Sequence, residues 1–363
     1  MMQASIQRRN LSPPAFQYVC LALLFAGSML FQIRYGRDIW RGEKVDFPFV
    51  IPATASPSLE VVLPSAAQLG LRKGDVLLAV NGKKYTGTAQ LAEAYGKARP
   101  GDHIEITVQS SSGVHSVNLD ATAMHNTWVR VLYDMLLDIA APIGCILLGS
   151  WVVLVRPRDR LAWILFGLLL CFSQMFSSFK IESWGPGYRE IAMAYRSMLN
   201  AAWPIFMFLF GFYFPEPFPS YTRLGKGRWW IPALVIAPIL LNIAFSVAIA
   251  TTEMTNFARA HQFYKIFLPL QNPMRLYLYC VVGFGFFTSI FIKSSVAVSA
   301  DAKRRLRLLY WGATTALLPL FLMTVAQLIG GKSLFDLFPD WLIGIGLGLT
   351  TLFPLTLAYV IVV

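Results

Sequence analysis

Residues 64 to 82 read Pro64-Ser-Ala-Ala-Gln-Leu-Gly-Leu-Arg-Lys-Gly-Asp-Val-Leu-Leu-Ala-Val-Asn-Gly82, a stretch dominated by turn chemistry. A short helix after Pro64 must stop at Gly70, because glycine takes the positive φ that ends a helix at little cost. Gly74-Asp75 makes a second turn, Val76 to Val80 is an apolar strand, and Asn81-Gly82 favours a hairpin turn with positive φ. Dense turn signals around one apolar strand predict a compact, water-soluble α/β module.

The flanks extend that module. Thr88 to Ala98 has the pattern of a helix, Arg99-Pro100-Gly101-Asp102 of a turn, Ile104 to Val108 of an alternating strand, and Val114 to Leu119 of a closing strand after Ser112-Gly113. The order Ser65-Ala66-Ala67, Gly70-Leu71, Lys73-Gly74-Asp75-Val76-Leu77 and Val80-Asn81-Gly82 resembles the core of a PDZ domain of the bacterial type, over about residues 46 to 122. The resemblance implies a groove between a strand and a helix, in which a partner's extended C-terminus adds as a strand. Leu91, Ala94 and Tyr95 would line the helix wall, and Phe47 and Phe49, within Val45 to Pro52, the strand wall. Pro48 and Pro52 cannot donate ladder hydrogen bonds, and no clear Gly-rich carboxylate loop is present. A structural or weakly binding module therefore stands beside peptide capture as an expectation.

The rest of the chain has a different solvent. Of its 363 residues, 56% are hydrophobic and 14% charged, with mean hydropathy +0.55. The apolar residues gather in runs long enough to cross a bilayer as helices. The fold class expected is a polytopic α-helical membrane protein of about eight spans with an inserted extracytoplasmic α/β PDZ-like domain. The net charge of +12 resides in short loops flanking apolar runs, as the positive-inside rule requires, and does not point to nucleic acid. Cys20, Cys145, Cys171 and Cys280 all fall in apolar runs and lack metal or disulfide spacing.

In chain order, residues 1–15 read as a cytoplasmic N-terminus and 16–33 as an uncleaved signal anchor, since no small-residue cleavage site follows. Gln32 to Lys44 reads as a polar connector, residues 46–122 as the PDZ-like domain and 128–363 as a bundle of seven transmembrane helices. Arg156-Pro-Arg-Asp-Arg160 is the strongest cytoplasmic marker, supported by Arg223-Lys226-Arg228 and Lys303-Arg304-Arg305-Arg307. Those loops put the PDZ-like domain outside and both termini in the cytoplasm. The segment Thr251 to Arg275 reads as an outer loop, and Leu161 to Phe179 as one of the spans.

Catalytic motifs are lacking. An intramembrane metalloprotease needs two His one helical turn apart with a Glu base, and His103, His115, His125 and His261 supply no such motif. No Gly-x-Ser-x-Gly elbow is present either, and no cofactor or metal site is expected. Asp134 and Asp138 lie one turn apart, hence on one helix face. They would be a functional pair at membrane depth, or simply wet if the helix projects beneath the PDZ-like domain. Asn242 is a polar residue within another span, suited to an inter-helix hydrogen bond or a small cavity. Gly344 and Gly348 form a Gly-x-x-x-Gly pattern, which fits close packing inside the bundle or across a homodimer.

The arrangement of anchor helix, outer PDZ-like domain and further spans looks like the sensory input region of bacterial inner-membrane signalling proteins. Local similarities lie at Arg156 to Trp163, Lys303 to Gly312 and Leu352 to Tyr359. In such families the chain continues into a SpoIIE-type serine/threonine phosphatase or a histidine kinase related to pheromone receptors. The resemblance thus implies an output domain beyond residue 363, with no catalytic residue in the present chain. The alternative is a membrane-tethered PDZ scaffold that recruits an extracytoplasmic peptide or protein. The bilayer is a partner in either case.

Overall fold

The computed structural model describes residues 15–41, 45, 48–50, 57–59, 61–122, 134–175, 179–215, 230–296, 300–330 and 337–362. Helix α1, Ala15–Arg41, has 27 residues and at 1.5 Å per residue extends about 40 Å, beyond a hydrocarbon core of about 30 Å. The expected polar connector after residue 33 is therefore helical as far as Arg41. Its polar turn persists because it packs on protein: Gln32 and Tyr35 are both fully buried.

The α/β module follows, with β1 (Phe49–Val50), β2 (Val61–Val62), α2 (Pro64–Gln68), β3 (Val76–Val80), β4 (Lys83–Lys84), α3 (Thr88–Lys97), β5 (His103–Ser110) and β6 (Gly113–Asp120). The order β4-β3-β5-β6 makes one antiparallel sheet, while β1 and β2 pair as a separate ribbon. Asn81 and Gly82 both take positive φ, 49° and 72°, and turn Val80 back onto Lys83. Both residue types tolerate this conformation, which matches the twist of a two-residue hairpin. Gly70 ends α2 at φ 97°, and Asp75 closes the next turn by accepting from the Arg72 N–H at 2.8 Å. Along β5, Ile104, Ile106 and Val108 point into the core beside Leu59, Leu71 and Leu77, the period-two pattern of a half-buried strand. Pro48 contributes to the ribbon through its carbonyl, which accepts from the Leu63 N–H at 2.9 Å.

A π-helical turn at Asp134–Ala140 runs into α4 (Ala141–Val155), followed by α5 (Arg160–Ser173), a 3-10 turn (Phe179–Ser183), α6 (Tyr188–Tyr213) and α7 (Trp230–Glu253). Then come α8 (Phe257–Val282), a second π turn (Gly283–Thr288), α9 (Ser289–Val296), α10 (Ala300–Gly330), α11 (Asp340–Thr350) and α12 (Leu352–Val362). Among the described residues, six stretches are long and apolar enough to cross a membrane: Ala15–Asp38, Met135–Val155, Pro232–Glu253, Phe257–Ser295, Lys303–Met323 and Trp341–Val360.

Two expectations change. The run expected to span from Leu161 to Phe179 is a helix of 14 residues, about 21 Å long and short of a hydrocarbon core. Thr251 to Arg275 is not a loop, because α8 begins at Phe257 and carries Pro269 and Pro273 within it. Asn256 caps that helix by accepting from the Arg259 N–H at 3.1 Å, so the connection from α7 is a tight turn.

Small residues permit close helix crossings. A Cβ on Gly211 would meet the Gly285 carbonyl oxygen at 2.4 Å, joining α6 to the second π turn. Neither Gly344 nor Gly348 has any atom within 4 Å of such a Cβ; Gly346 is the glycine of α11 that packs, against Met323. Any packing by Gly344 and Gly348 would thus involve a face that the described residues do not cover.

Candidate functional site

Helix α3 lies on the ends of several helices, and the residues that hold it there define the candidate site. The turn between α7 and α8 meets the segment leading into α3 through two backbone hydrogen bonds. Ala89 donates to the Met254 carbonyl at 3.1 Å, and Phe257 donates to the Thr86 carbonyl at 2.8 Å. Gly87 permits this approach, because a Cβ there would stand 2.2 Å from the Met254 oxygen. Its φ of −175° is ordinary extended backbone, so the requirement is one of space.

Side chains complete the seam. Phe257 enters the core of the α/β module, with its ring 5.2 Å from that of Tyr85. Ala89 reaches the other way, into a cluster with Phe31, Tyr35, Ile181, Trp184, Met193 and Met254. On α6, Arg189 donates to Glu93 of α3 at 2.6 Å and to Glu190 at 3.1 Å. Burial alone would lower the Arg189 pKa, but these two carboxylates more than offset it and hold the guanidinium above its ordinary value. The Glu190 carboxylate also accepts from the Gly187 N–H, as an acidic side chain in the first turn of a helix does. Despite some burial, these bonds hold the Glu190 pKa below its ordinary value.

Beneath α3 sits a polar layer. Trp184 donates its indole N–H to Asp38 at 2.6 Å, and the Arg34 guanidinium stacks over Trp184 and Tyr188 at 5.0 and 4.9 Å, a cation–π arrangement. Gln32 donates to the Asp138 carbonyl at 2.6 Å; a π turn shifts the helical bonding pattern and leaves a carbonyl open to such a donor. Glu182 is half-buried in the 3-10 turn. Burial pushes its carboxyl above the ordinary range, while the Thr88 hydroxyl, Arg196 and Arg189 pull it back in part.

Of the residues singled out in the sequence, Phe49, Leu91 and Tyr95 are 2%, 7% and 5% exposed and share the core of the module, with Ala94 half-buried at its edge. Ala94 is thus the most open of the helix positions. Phe47 lies outside the described residues, as does the basic segment 221–228. Asp138 is 7% exposed, in the layer beneath α3; Asp134 begins the π turn, and its side chain is outside the described set. Asn242 is half-buried on α7, remote in sequence from that layer and not among the residues lining the apolar groove between α6, α7 and α8. Among the described residues, no three His, Cys, Asp or Glu side chains converge as metal ligands.

Sequence reading passed over Gly87, Glu93, Glu182, Arg189, Arg196 and Met254. One signal was present: Arg189 and Arg196 are seven residues apart, so they fall on the same helix face. Gly87 and Met254 carry no local signal, since their roles depend on a partner more than 160 residues away.

Comparison with known proteins agrees with the module's geometry. Residues 60–120 match the family model described as PDZ domain, and a PDZ domain is thereby detected in this chain. No curated protein and no solved structure matches the chain. PDZ domains generally bind peptides or proteins and are not catalytic; together with the six apolar stretches, this describes a membrane-associated module.

Proposed function

We propose that the chain is the sensory input module of a bacterial signalling protein of the inner membrane. In this reading the membrane-length helices cross the bilayer, the PDZ domain lies outside and both termini lie in the cytoplasm. A peptide or protein captured beside α3 displaces that helix, and the helices it rests on carry the displacement to a phosphatase or kinase domain beyond residue 363. Gly344 and Gly348, on an uncovered face of α11, are where a second copy would pack.

The observation that carries this reading is the double attachment of α3. Backbone bonds tie its start to the α7–α8 turn, and an ion pair ties Glu93 to α6. A freely tethered binding module would need neither. Packed elements joined at two points move together or exchange between discrete arrangements, so a change at α3 is felt by α6 and α8.

The test is amide hydrogen exchange on the full chain in lipid nanodiscs, with and without a pool of peptides bearing free C-terminal carboxylates. Sensory transmission expects protection at α3 together with altered exchange in Ser289–Val296. Gly87→Ala forces Met254 away, at a typical overpacking cost of about 1–3 kcal/mol, and should retain the first change while losing the second. A tethered scaffold would show protection at α3 alone in the unmodified protein. Absence of any change at α3 would remove peptide capture from both readings.

A further inference from the structure

Arg304, Leu308, Trp311 and Thr315 recur every three or four residues along α10, with Arg307 beside Leu308, and so share one face. With Leu352, Leu355 and Thr356 of α12, that face lines a groove of about 870 Å³. Its floor is a close helix crossing, where a Cβ on Gly312 would meet Thr356 Cγ2 at 2.3 Å.

The chemistry of the groove changes along the helix axis. Lys303, Arg304 and Arg307 come first, all exposed and without an ion pair among the described residues. About 6 Å further on, by helical rise, the wall is apolar: Trp311 is 64% exposed, and Leu355 across the groove 59%. The stretch Lys303–Met323 is long and apolar enough to span a membrane, so its basic start falls where hydrocarbon gives way to headgroups. Trp311 has the amphipathic ring suited to that level.

We propose that this groove binds an anionic phospholipid, with its phosphate against Lys303, Arg304 and Arg307 and an acyl chain along Leu308, Trp311 and Leu355. The charge pattern selects this occupant. A zwitterionic lipid would leave the three cations without a net counter-charge, and a free phosphate would leave the apolar wall uncovered. The inference depends on the helices crossing a membrane and is independent of the sensory role.

The test is native mass spectrometry of the full chain released from vesicles of equal parts phosphatidylglycerol and phosphatidylcholine. The unmodified protein should retain phosphatidylglycerol preferentially. The double variant Arg304→Gln/Arg307→Gln should lose that preference by roughly thirtyfold, since each basic residue near an anionic surface contributes about fivefold. Trp311→Ala should weaken retention of phosphatidylglycerol. Arg158→Gln, in a different basic turn, should change nothing, and normal gel-filtration behaviour would show that each variant is folded. Equal retention of the two lipids, an unaltered preference in the double variant, or the same loss in Arg158→Gln would overturn the proposal. So would displacement of the lipid by an equal concentration of soluble glycerol phosphate, or conversion of a dimer to a monomer by the double variant without loss of lipid, which would assign the groove to a second copy.

Discussion

Glu182 is the residue at which pH should act on the seam between the PDZ domain and the helices. Burial raises its folded pKa above the ordinary 4.5, so the folded chain binds more protons than the unfolded chain over the window from 4.5 upward. Stability therefore falls as pH rises through that window and is greater on its acid side. Glu190 has the opposite sign: its pKa is lowered, so its contribution is present above the ordinary value and is lost as pH falls through the folded one. The two carboxylates act in adjacent windows and can be separated. Replacing Glu182 with Gln should flatten the loss of stability between mildly acid and neutral pH while preserving the loss below about 4.5. Thermal unfolding of the full chain in detergent, followed across pH, measures this; an unchanged slope in the variant would place the dependence elsewhere. At this scale the sequence was a good guide to conformation and a poor one to burial. Asn81, Gly82 and Gly70 announce positive φ by their own chemistry, whereas Glu182 looks like any charge in a loop until α3 covers it.

Among the elements, α6 shows how a helix end within the bundle is satisfied. Lys293 of α9 donates to the carbonyls of Gly211, Phe212 and Phe214 at 3.0, 2.7 and 2.8 Å, and Ser289 adds a bond to Gly211 at 2.9 Å. The last carbonyls of a helix have no intrahelical partner and carry the negative end of its dipole, so one buried ammonium meets both needs. Lys293→Met should cost about 1.5–3 kcal/mol, the scale of hydrogen bonds to a charged group. That corresponds to a fall in Tm of roughly 2–4 °C for a chain of this size. An unchanged melting temperature in detergent would show that the carbonyls are satisfied without it. Element boundaries were legible where a cap is local. Asp159 starts α5 by accepting from the Leu161 N–H at 2.9 Å, directly after a basic turn visible in the sequence. They were illegible where tertiary packing prolongs a helix, as in α1 beyond Gln32 and in α8 before Leu276. In both, polar residues that resemble a connector remain helical: those of α1 find protein partners beneath the PDZ domain, and α8 starts at a cap in the turn that docks there.

For the whole molecule, the proposed topology makes a direct prediction. Reporter fusions after Ser112 and after Asp159 should report opposite sides of the membrane, with Ser112 outside; a cytoplasmic signal from Ser112 would end the account of external sensing. Between these two positions, α4 leads from the π turn to Arg156, where the basic turn before α5 begins. The sequence by itself determined that a PDZ module is present and that apolar, membrane-length helices follow it. Turn propensity, strand alternation and hydropathy are properties of a residue and its near neighbours, so they survive without knowledge of the fold. Only the tertiary structure decided that the module is seated on the helix ends, with Gly87 under Met254, Glu93 on Arg189 and Gln32 on Asp138. These contacts join residues about 100 or more positions apart, and their energy comes from shape and buried polarity that exist only once distant helices have packed.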